Sequence, residues 1–269
     1  MPQVVGFIGA GRMGEPMVVR LIGAGHRVVV LARRAEVRER LGACGAEVVR
    51  TIAEVAEAAD VVVVCVFSDP QLIDVLGGPS GLLATAKPST IVVSHTTGSV
   101  GTVRELAAAH PDGPVLLDGP VSGSAQDIAA GRLTVLLGGP GESAEAVRPV
   151  LESYSAQIIA TGALGTALNV KLVNNALFAA NSQLVAEAAR VGRQLGIDDR
   201  DLLRALSACS GASHAAESIR RTGGLAAFEK AAAPFLRKDV AACLAATADA
   251  GADLGRLAAV IHNGPLELG

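Results

Sequence analysis

Through about residue 163, short β-branched runs alternate with amphipathic stretches. Residues 4–8, 27–31, 47–49, 61–66, 91–93, 115–117, 133–137 and 158–159 are apolar runs of strand length. Between them, 14–23, 35–41, 52–58, 71–76, 101–109 and 143–151 carry the three- and four-residue apolar spacing of one helix face. The run from Val61 to Val66 has no polar alternation, as a central strand covered on both faces requires. Strands alternating with helices predict right-handed βαβ units and an α/β fold with a doubly wound, mostly parallel sheet.

After residue 163 the period changes. Leu168, Leu172, Val173, Leu177, Ala180, Leu184 and Ala188 recur three and four apart, which predicts one long helix over 166–195. Gly196 ends it, and a new helix starts near Asp199. Two or three Ala-rich helices follow, with breaks expected at Gly211, at Gly223–Gly224 and at Pro234. No strand pattern follows Ile159. The expected division is therefore 1–163, the sheet domain, and 164–269, an all-α domain that opens with a long interdomain helix. Alanine-heavy helices imply close helix–helix packing, either within the chain or between subunits.

Composition narrows the function. Of 269 residues, 50% are hydrophobic but only 2% aromatic, with no Trp and a single Tyr, Tyr154. Such apolar content at 18% charge excludes a disordered chain. The scarcity of aromatics argues against base-stacking surfaces. A net charge of −3 gives no general attraction to nucleic acid or anionic membrane. Cys44, Cys65, Cys209 and Cys243 have no paired spacing, as expected of small buried thiols and not of a metal site or disulfide framework. The N-terminus opens into an apolar strand without a basic region before it, and no apolar run approaches a membrane span. A cytoplasmic location is the expectation.

Candidate chemistry begins after the first strand. Gly9, Ala10, Gly11, Arg12, Met13 and Gly14 form G-x-G-x-x-G between a strand and a helix. The first glycine permits a tight turn, the second lets backbone approach a pyrophosphate, and the third lets helix and strand pack closely. The helix N-terminus adds unpaired N–H groups and a positive dipole end. This is the Rossmann-type arrangement for a dinucleotide. An acidic residue at the end of the second strand would grip the ribose 2′-OH of NAD. Here that segment reads Val30-Leu31-Ala32-Arg33-Arg34. Arg33 and Arg34 instead suit a 2′-phosphate, so NADP(H) is expected over NAD(H).

Three blocks in order make the chain resemble the β-hydroxyacid dehydrogenase family, which includes 3-hydroxyisobutyrate dehydrogenases, tartronate semialdehyde reductases and succinic semialdehyde reductases. They are Gly6-Phe7-Ile8 running into the glycine loop and on to Met17, then Asp118-Gly119-Pro120-Val121-Ser122-Gly123-Ser124, then Gly162 to Gly165 with Lys171-Leu172-Val173-Asn174-Asn175. A weaker match runs from Phe235 to Val240. The resemblance implies a Rossmann-type domain joined by a long helix to a helical domain that serves dimerisation and substrate closure. It implies a homodimer or homotetramer, and a small carboxylate substrate oxidised or reduced at a β-hydroxyl.

The same resemblance makes Lys171 the catalytic proton carrier and Asn175, one helical turn on, a substrate ligand. Ser122 and Gly123 would hold the substrate carboxylate. Thr96, beside Thr97, would lie near the nicotinamide, and Lys238 would approach cofactor and substrate from the helical domain. Phe67 either walls the cofactor cleft or joins the core, with core ranked first. Three features depart from the family. Ser124, followed by Ala125-Gln126-Asp127, replaces a glycine and reshapes the substrate loop. His95 is not typical at its position and is either a second proton donor or incidental. The chain ends at Gly269, short of the family's final helix, so less complete closure is expected. Imine reductases share the layout but typically lack the lysine, and 6-phosphogluconate dehydrogenase carries histidine where Asn174 stands. A cofactor-binding sensor or scaffold without catalysis is the alternative from another class. No metal site is expected.

Overall fold

The computed structural model describes residues 3–268. Strand and helix alternate first: β1 (Val4–Ile8), α1 (Gly14–Gly23), β2 (Arg27–Leu31), α2 (Ala35–Ala43), β3 (Glu47–Val49), α3 (Ile52–Ala58), β4 (Val61–Val64), α4 (Asp69–Leu76), α5 (Leu82–Thr85), β5 (Ile91–Ser94), α6 (Val100–Ala108) and β6 (Val115–Asp118). Then come β7 (Val121–Ser122), α7 (Ala125–Ala129), β8 (Leu133–Gly138), α8 (Gly141–Leu151) and β9 (Ser155–Gly162). Only helices follow among the described residues: α9 (Thr166–Gln194), α10 (Asp199–Leu206), α11 (His214–Thr222), α12 (Leu225–Asp249) and α13 (Arg256–Asn263).

The strands form one sheet in the order β3-β2-β1-β4-β5-β6-β8-β7, with β9 paired to β8. From β3 to β6 every pair is parallel. β8 reverses against β6 and β7, and β9 runs parallel to β8. The mostly parallel, doubly wound sheet is the one the pattern predicts. Its two faces separate residue by residue along β4. Val61 and Val63 join Met17, Leu21 and Leu41 on one side, while Val62 and Val64 join Leu72, Leu76 and Leu83 on the other. Each fully buried valine contributes about 1.5–3 kcal/mol through apolar area removed from water, and a run without polar alternation uses both faces.

Several expectations need correction. The helices α5 and α7 and the two-residue strand β7 escaped the pattern because elements this short show no period. The break expected at Pro234 does not occur, since α12 runs through it. Pro234 and Lys230, whose carbonyl the proline leaves unbonded, are both exposed, so solvent can take up that carbonyl. Cys44 and Cys209 are exposed, not buried. Phe67, ranked first as core, is 52% exposed.

By contacts the chain divides into two compact units, one ending at Lys171 and one beginning at Leu172. The helical unit has its own core, including Leu172, Ala176, Ile219, Phe228 and Leu236. A buried amide ties its end down: Gln183 Nε2 donates to the Ile261 and Leu266 carbonyls at 2.8 and 2.7 Å, and its Oε1 accepts from Leu266 N. Among the described residues, no helix is long and apolar enough to cross a membrane.

In the sheet unit, one carboxylate fixes where the long helix begins. Asp118, fully buried at the end of β6, accepts from Gly165 N through Oδ1 and from Leu168 N through Oδ2, each at 2.8 Å. It therefore takes up N–H groups that α9 cannot satisfy itself, at the helix end whose dipole favours an anion. Burial pushes its pKa above the usual range, and backbone N–H bonds from Gly165, Leu168 and Ala167 pull against that rise. Gly138 makes room, since a Cβ there would lie 2.3 Å from Asp118 Oδ1. Asp118→Ala should destabilise the fold by about 1–3 kcal/mol for each N–H left without an acceptor. Urea denaturation would read this, and an unchanged midpoint would remove Asp118 as the anchor.

Candidate active site

The glycine loop leaves β1 and enters α1 with its three glycines in different jobs. Gly9 sits at φ +100°, and a Cβ there would come 2.3 Å from the Cys65 carbonyl oxygen. Gly14 would place a Cβ 2.3 Å from the Gly9 carbonyl oxygen and 2.8 Å from the Phe7 ring. Both are required by the protein's own packing. Gly11 is different: a Cβ there meets nothing within 4 Å, and its backbone lies outside the positive-φ set. Open space over a turn leading into a helix is what a pyrophosphate needs. No side chain caps the start of α1, where Met13 stands. Ala10 is buried, and Arg12 is exposed at the turn. Glu15, in the first turn, is neutralised by Arg40 through two bonds of 2.7 and 2.9 Å. The bond to Arg40 is the main reason its carboxyl is held below the usual range, with Arg34 adding to the effect.

At the end of β2 the chain forms a hollow of about 310 Å³ lined by Leu31, Ala32, Arg33, Arg38, Val49 and Arg50. Arg33 lies where the sequence places it, while Arg34 stands exposed at the start of α2 and acts on Glu15. Arg38 Nη1 donates to the Arg33 carbonyl at 2.7 Å and lies 3.4 Å from that of Ala32. Sequence reasoning missed Arg38 and Arg50. Arg38 lies one turn into α2 and shows only once that helix is built, and Arg50 arrives through the β2–β3 register, which pairs Leu31 with Val49.

At the end of β5 and just beyond it, Ser94, His95 and Thr96 are all buried. His95 Nδ1 bonds the Gly119 carbonyl, and Nε2 lies 2.8 Å from the Tyr154 hydroxyl. A carbonyl only accepts, so Nδ1 carries the proton and Tyr154 O–H donates to Nε2. Burial is the main cause that lowers its pKa from 6.5 to about 4, with the Gly119 bond opposing. His95 is thus neutral near pH 7, with both ring nitrogens engaged. It holds Gly119, whose N–H also donates to the Ser94 carbonyl at 2.7 Å, directly before the Val121–Ser122 strand. Thr96 Oγ1 and Ser94 Oγ are buried without a hydrogen-bond partner. An orphaned hydroxyl in this loop is a place where a bound group would complete the bonding.

Ser122 is half-buried and pairs with Thr134 across β7 and β8. Gly123 follows at φ +135°, a conformation that favours glycine. The Ser124 departure builds a capping box: Ser124 Oγ accepts from Asp127 N, and Asp127 Oδ2 accepts from Ser124 N at 2.9 Å. Hence the substituted residues start α7 and keep their polar groups occupied with each other.

Lys171 and Asn175 lie one turn apart on α9, Lys171 half-buried and Asn175 buried. Asn175 Nδ2 donates to Asp239 Oδ2 at 2.6 Å, and its Oδ1 accepts from Asn174 at 3.0 Å. A carboxylate can only accept, so Asp239 fixes which way the Asn175 amide faces. Lys238 Nζ lies 3.5 Å from Asp239 Oδ1. Asp239 was not singled out from sequence as a site residue, because its pairing across 64 positions leaves no local signal. Among the described residues, no cluster of three or more His, Cys, Asp or Glu side chains could hold a metal.

Known proteins match this arrangement. Residues 4–162 match the family described as the NAD binding domain of 6-phosphogluconate dehydrogenase. Residues 165–263 match the one described as NAD-binding of NADP-dependent 3-hydroxyisobutyrate dehydrogenase. The chain belongs to the β-hydroxyacid dehydrogenase family. Mouse mitochondrial 3-hydroxyisobutyrate dehydrogenase is 30% identical over 82% of this chain; the alignment covers 66% of the mouse protein, a little under two thirds of its length. The structure of Mycobacterium tuberculosis 3-hydroxyisobutyrate dehydrogenase with L-serine is 28% identical, with a TM-score of 0.83 over 97% of this chain and 92% of that one. Psf3 in complex with NADP+ and 2-OPP is 30% identical, with a TM-score of 0.75 over 82% of this chain and 80% of its own.

Two outcomes follow for this β-hydroxyacid dehydrogenase homologue. Replacing Gly11 by Val should abolish dinucleotide binding in calorimetry with the melting temperature nearly unchanged, because the added atoms enter open space. Retained binding would mean that the pyrophosphate lies elsewhere. His95 binds its proton less tightly when folded, so its contribution to stability is complete above about pH 6.5 and is lost as pH falls to about 4. The loss amounts to roughly 3 kcal/mol. Denaturation of wild type and His95→Gln across that window should show a flatter profile for the variant; parallel profiles would contradict the assignment.

Proposed function

We propose that the protein is an NADP(H)-preferring oxidoreductase that interconverts a short-chain β-hydroxyacid and its semialdehyde or keto form. The reading rests foremost on the open Gly11 cradle in a β-hydroxyacid dehydrogenase chain that retains Lys171. Gly9, Ala10, Gly11, Arg12, Met13 and Gly14 would receive the pyrophosphate, Arg33 and Arg34 the adenosine end, and Thr96, Phe67 and Lys238 the nicotinamide half. When bound, the nicotinamide supplies or accepts the hydride at the carbon that carries oxygen. The NADP+ held by Psf3 agrees with this cofactor preference. L-serine, present with the mycobacterial enzyme, carries the carboxylate and β-hydroxyl of the proposed substrate class.

Lys171 would give a proton to the carbonyl oxygen in reduction and take the hydroxyl proton in oxidation. The Ser122 hydroxyl and Gly123 N–H would hold the carboxylate. Asn175 has a second amide N–H beyond the one given to Asp239, and this would orient the substrate beside Lys171, with Lys238 nearby on the substrate side. Orientation of two small reactants supplies much of the expected rate gain. Residues 1–163 would serve the cofactor and 164–269 substrate closure and dimerisation, in a cytoplasmic homodimer or homotetramer. The partners are small molecules, without nucleic acid or membrane.

Lys171→Ala should lower kcat by at least about 100-fold, the usual scale of a positioned proton carrier, with cofactor affinity unchanged. Steady-state kinetics with fluorescence titration would check it, and full turnover would remove Lys171 from the mechanism. Wild-type kinetics with both cofactors should give a higher kcat/KM for NADPH; preference for NADH would overturn the cofactor assignment.

A further inference from the structure

We infer that Arg50, at the end of β3, is a specificity-determining residue that works with Arg33 to bind the 2′-phosphate of the cofactor. This rests on the NADP(H) reading above and adds a residue from a different strand. The parallel register pairing Leu31 with Val49 sets Arg50 beside Ala32 and Arg33, in the lining of the same hollow. Its lining joins three apolar residues, Leu31, Ala32 and Val49, to three arginines, Arg33, Arg38 and Arg50, with no carboxylate. Arginine side chains on this lining offer a phosphate monoester paired, charge-assisted bonds.

The three arginines divide the work. Arg38 is committed to the Ala32–Arg33 backbone through Nη1, so it fixes the loop that presents Arg33. The carboxylates flanking Arg50 in sequence are both engaged, Glu47 with Arg27 at 2.6 Å and Glu54 in the cap of α3. Glu54 Oε2 accepts from Arg50 N, Thr51 N and Thr51 Oγ1 at 3.1, 2.9 and 2.6 Å, closing the cap of α3. That cap holds the Arg50 backbone beside the hollow that Arg50 helps to line. The volume lies at the small end of ligand sites, about 300–1,000 Å³, which suits a ribose with its phosphate while the apolar residues lie against the adenosine.

Calorimetry on the full chain with adenosine 2′,5′-bisphosphate and adenosine 5′-monophosphate tests this without turnover. Wild type should prefer the bisphosphate. Arg50→Gln should weaken the bisphosphate by about tenfold or more, the scale of one lost charge-assisted bond, and leave the monophosphate within about twofold. Arg50→Lys should recover part of the loss, and matched melting temperatures will confirm that both variants fold. Wild type that prefers the bisphosphate with Arg50→Gln unchanged, or equal losses for both nucleotides, would overturn the role of Arg50 alone. Equal wild-type affinity for the two nucleotides would overturn the NADP(H) reading and the Arg50 inference with it.

Discussion

The arrangement depends on one buried carboxylate, Asp118, meeting the N-terminus of a helix. The last residue of β6 takes N–H bonds from Gly165 and Leu168, so the first turn of α9 is fixed to the carboxyl edge of the sheet. Lys171 follows one turn after Leu168 and inherits that position. In an open α/β sheet, ligands sit outside the carboxyl ends of the strands. The carboxylate that stabilises the helix therefore also sets where the lysine stands within the sheet unit. Its burial is unfavourable by itself, and the backbone amides with the helix dipole offset that penalty.

Other buried polar groups work in the same way. His95 is held between Gly119 and Tyr154, which steadies the segment leading to Ser122. Asp239 is bonded to Asn175, which sets the face that amide shows. Each restricts a neighbour. In a chain with few aromatics, these side chains are oriented by directed hydrogen bonds instead of large ring walls. The low aromatic content follows the proposed ligand, a compact carboxylate that needs orientation more than apolar cover.

Much of the fold was legible because its signals are local. β1, α1, β2, β3 and α3 match the pattern residue for residue, since valine runs and helix-face spacing act within a few positions. The glycine loop was legible as well, although Gly11 differs from Gly9 and Gly14 only in what surrounds it. Pairings across long sequence gaps were not legible. The Asp118 clamp, the Asp239–Asn175 bond and the placing of Arg50 beside Arg33 all depend on register or on contacts far apart in the chain. Pro234 misled because α12 runs through it at an exposed position, where solvent can take up the Lys230 carbonyl that the proline leaves unbonded.

Hydride transfer to and from a small acid held by its carboxylate is the activity on which the proposed roles converge. Following NADPH oxidation by the wild-type protein, with short semialdehyde acids and with their methyl esters, tests it without any substitution. Turnover of at least one free acid is expected, with little or none of the corresponding ester. Tight NADPH binding with no turnover of any acid, or equal turnover of acid and ester, would contradict it.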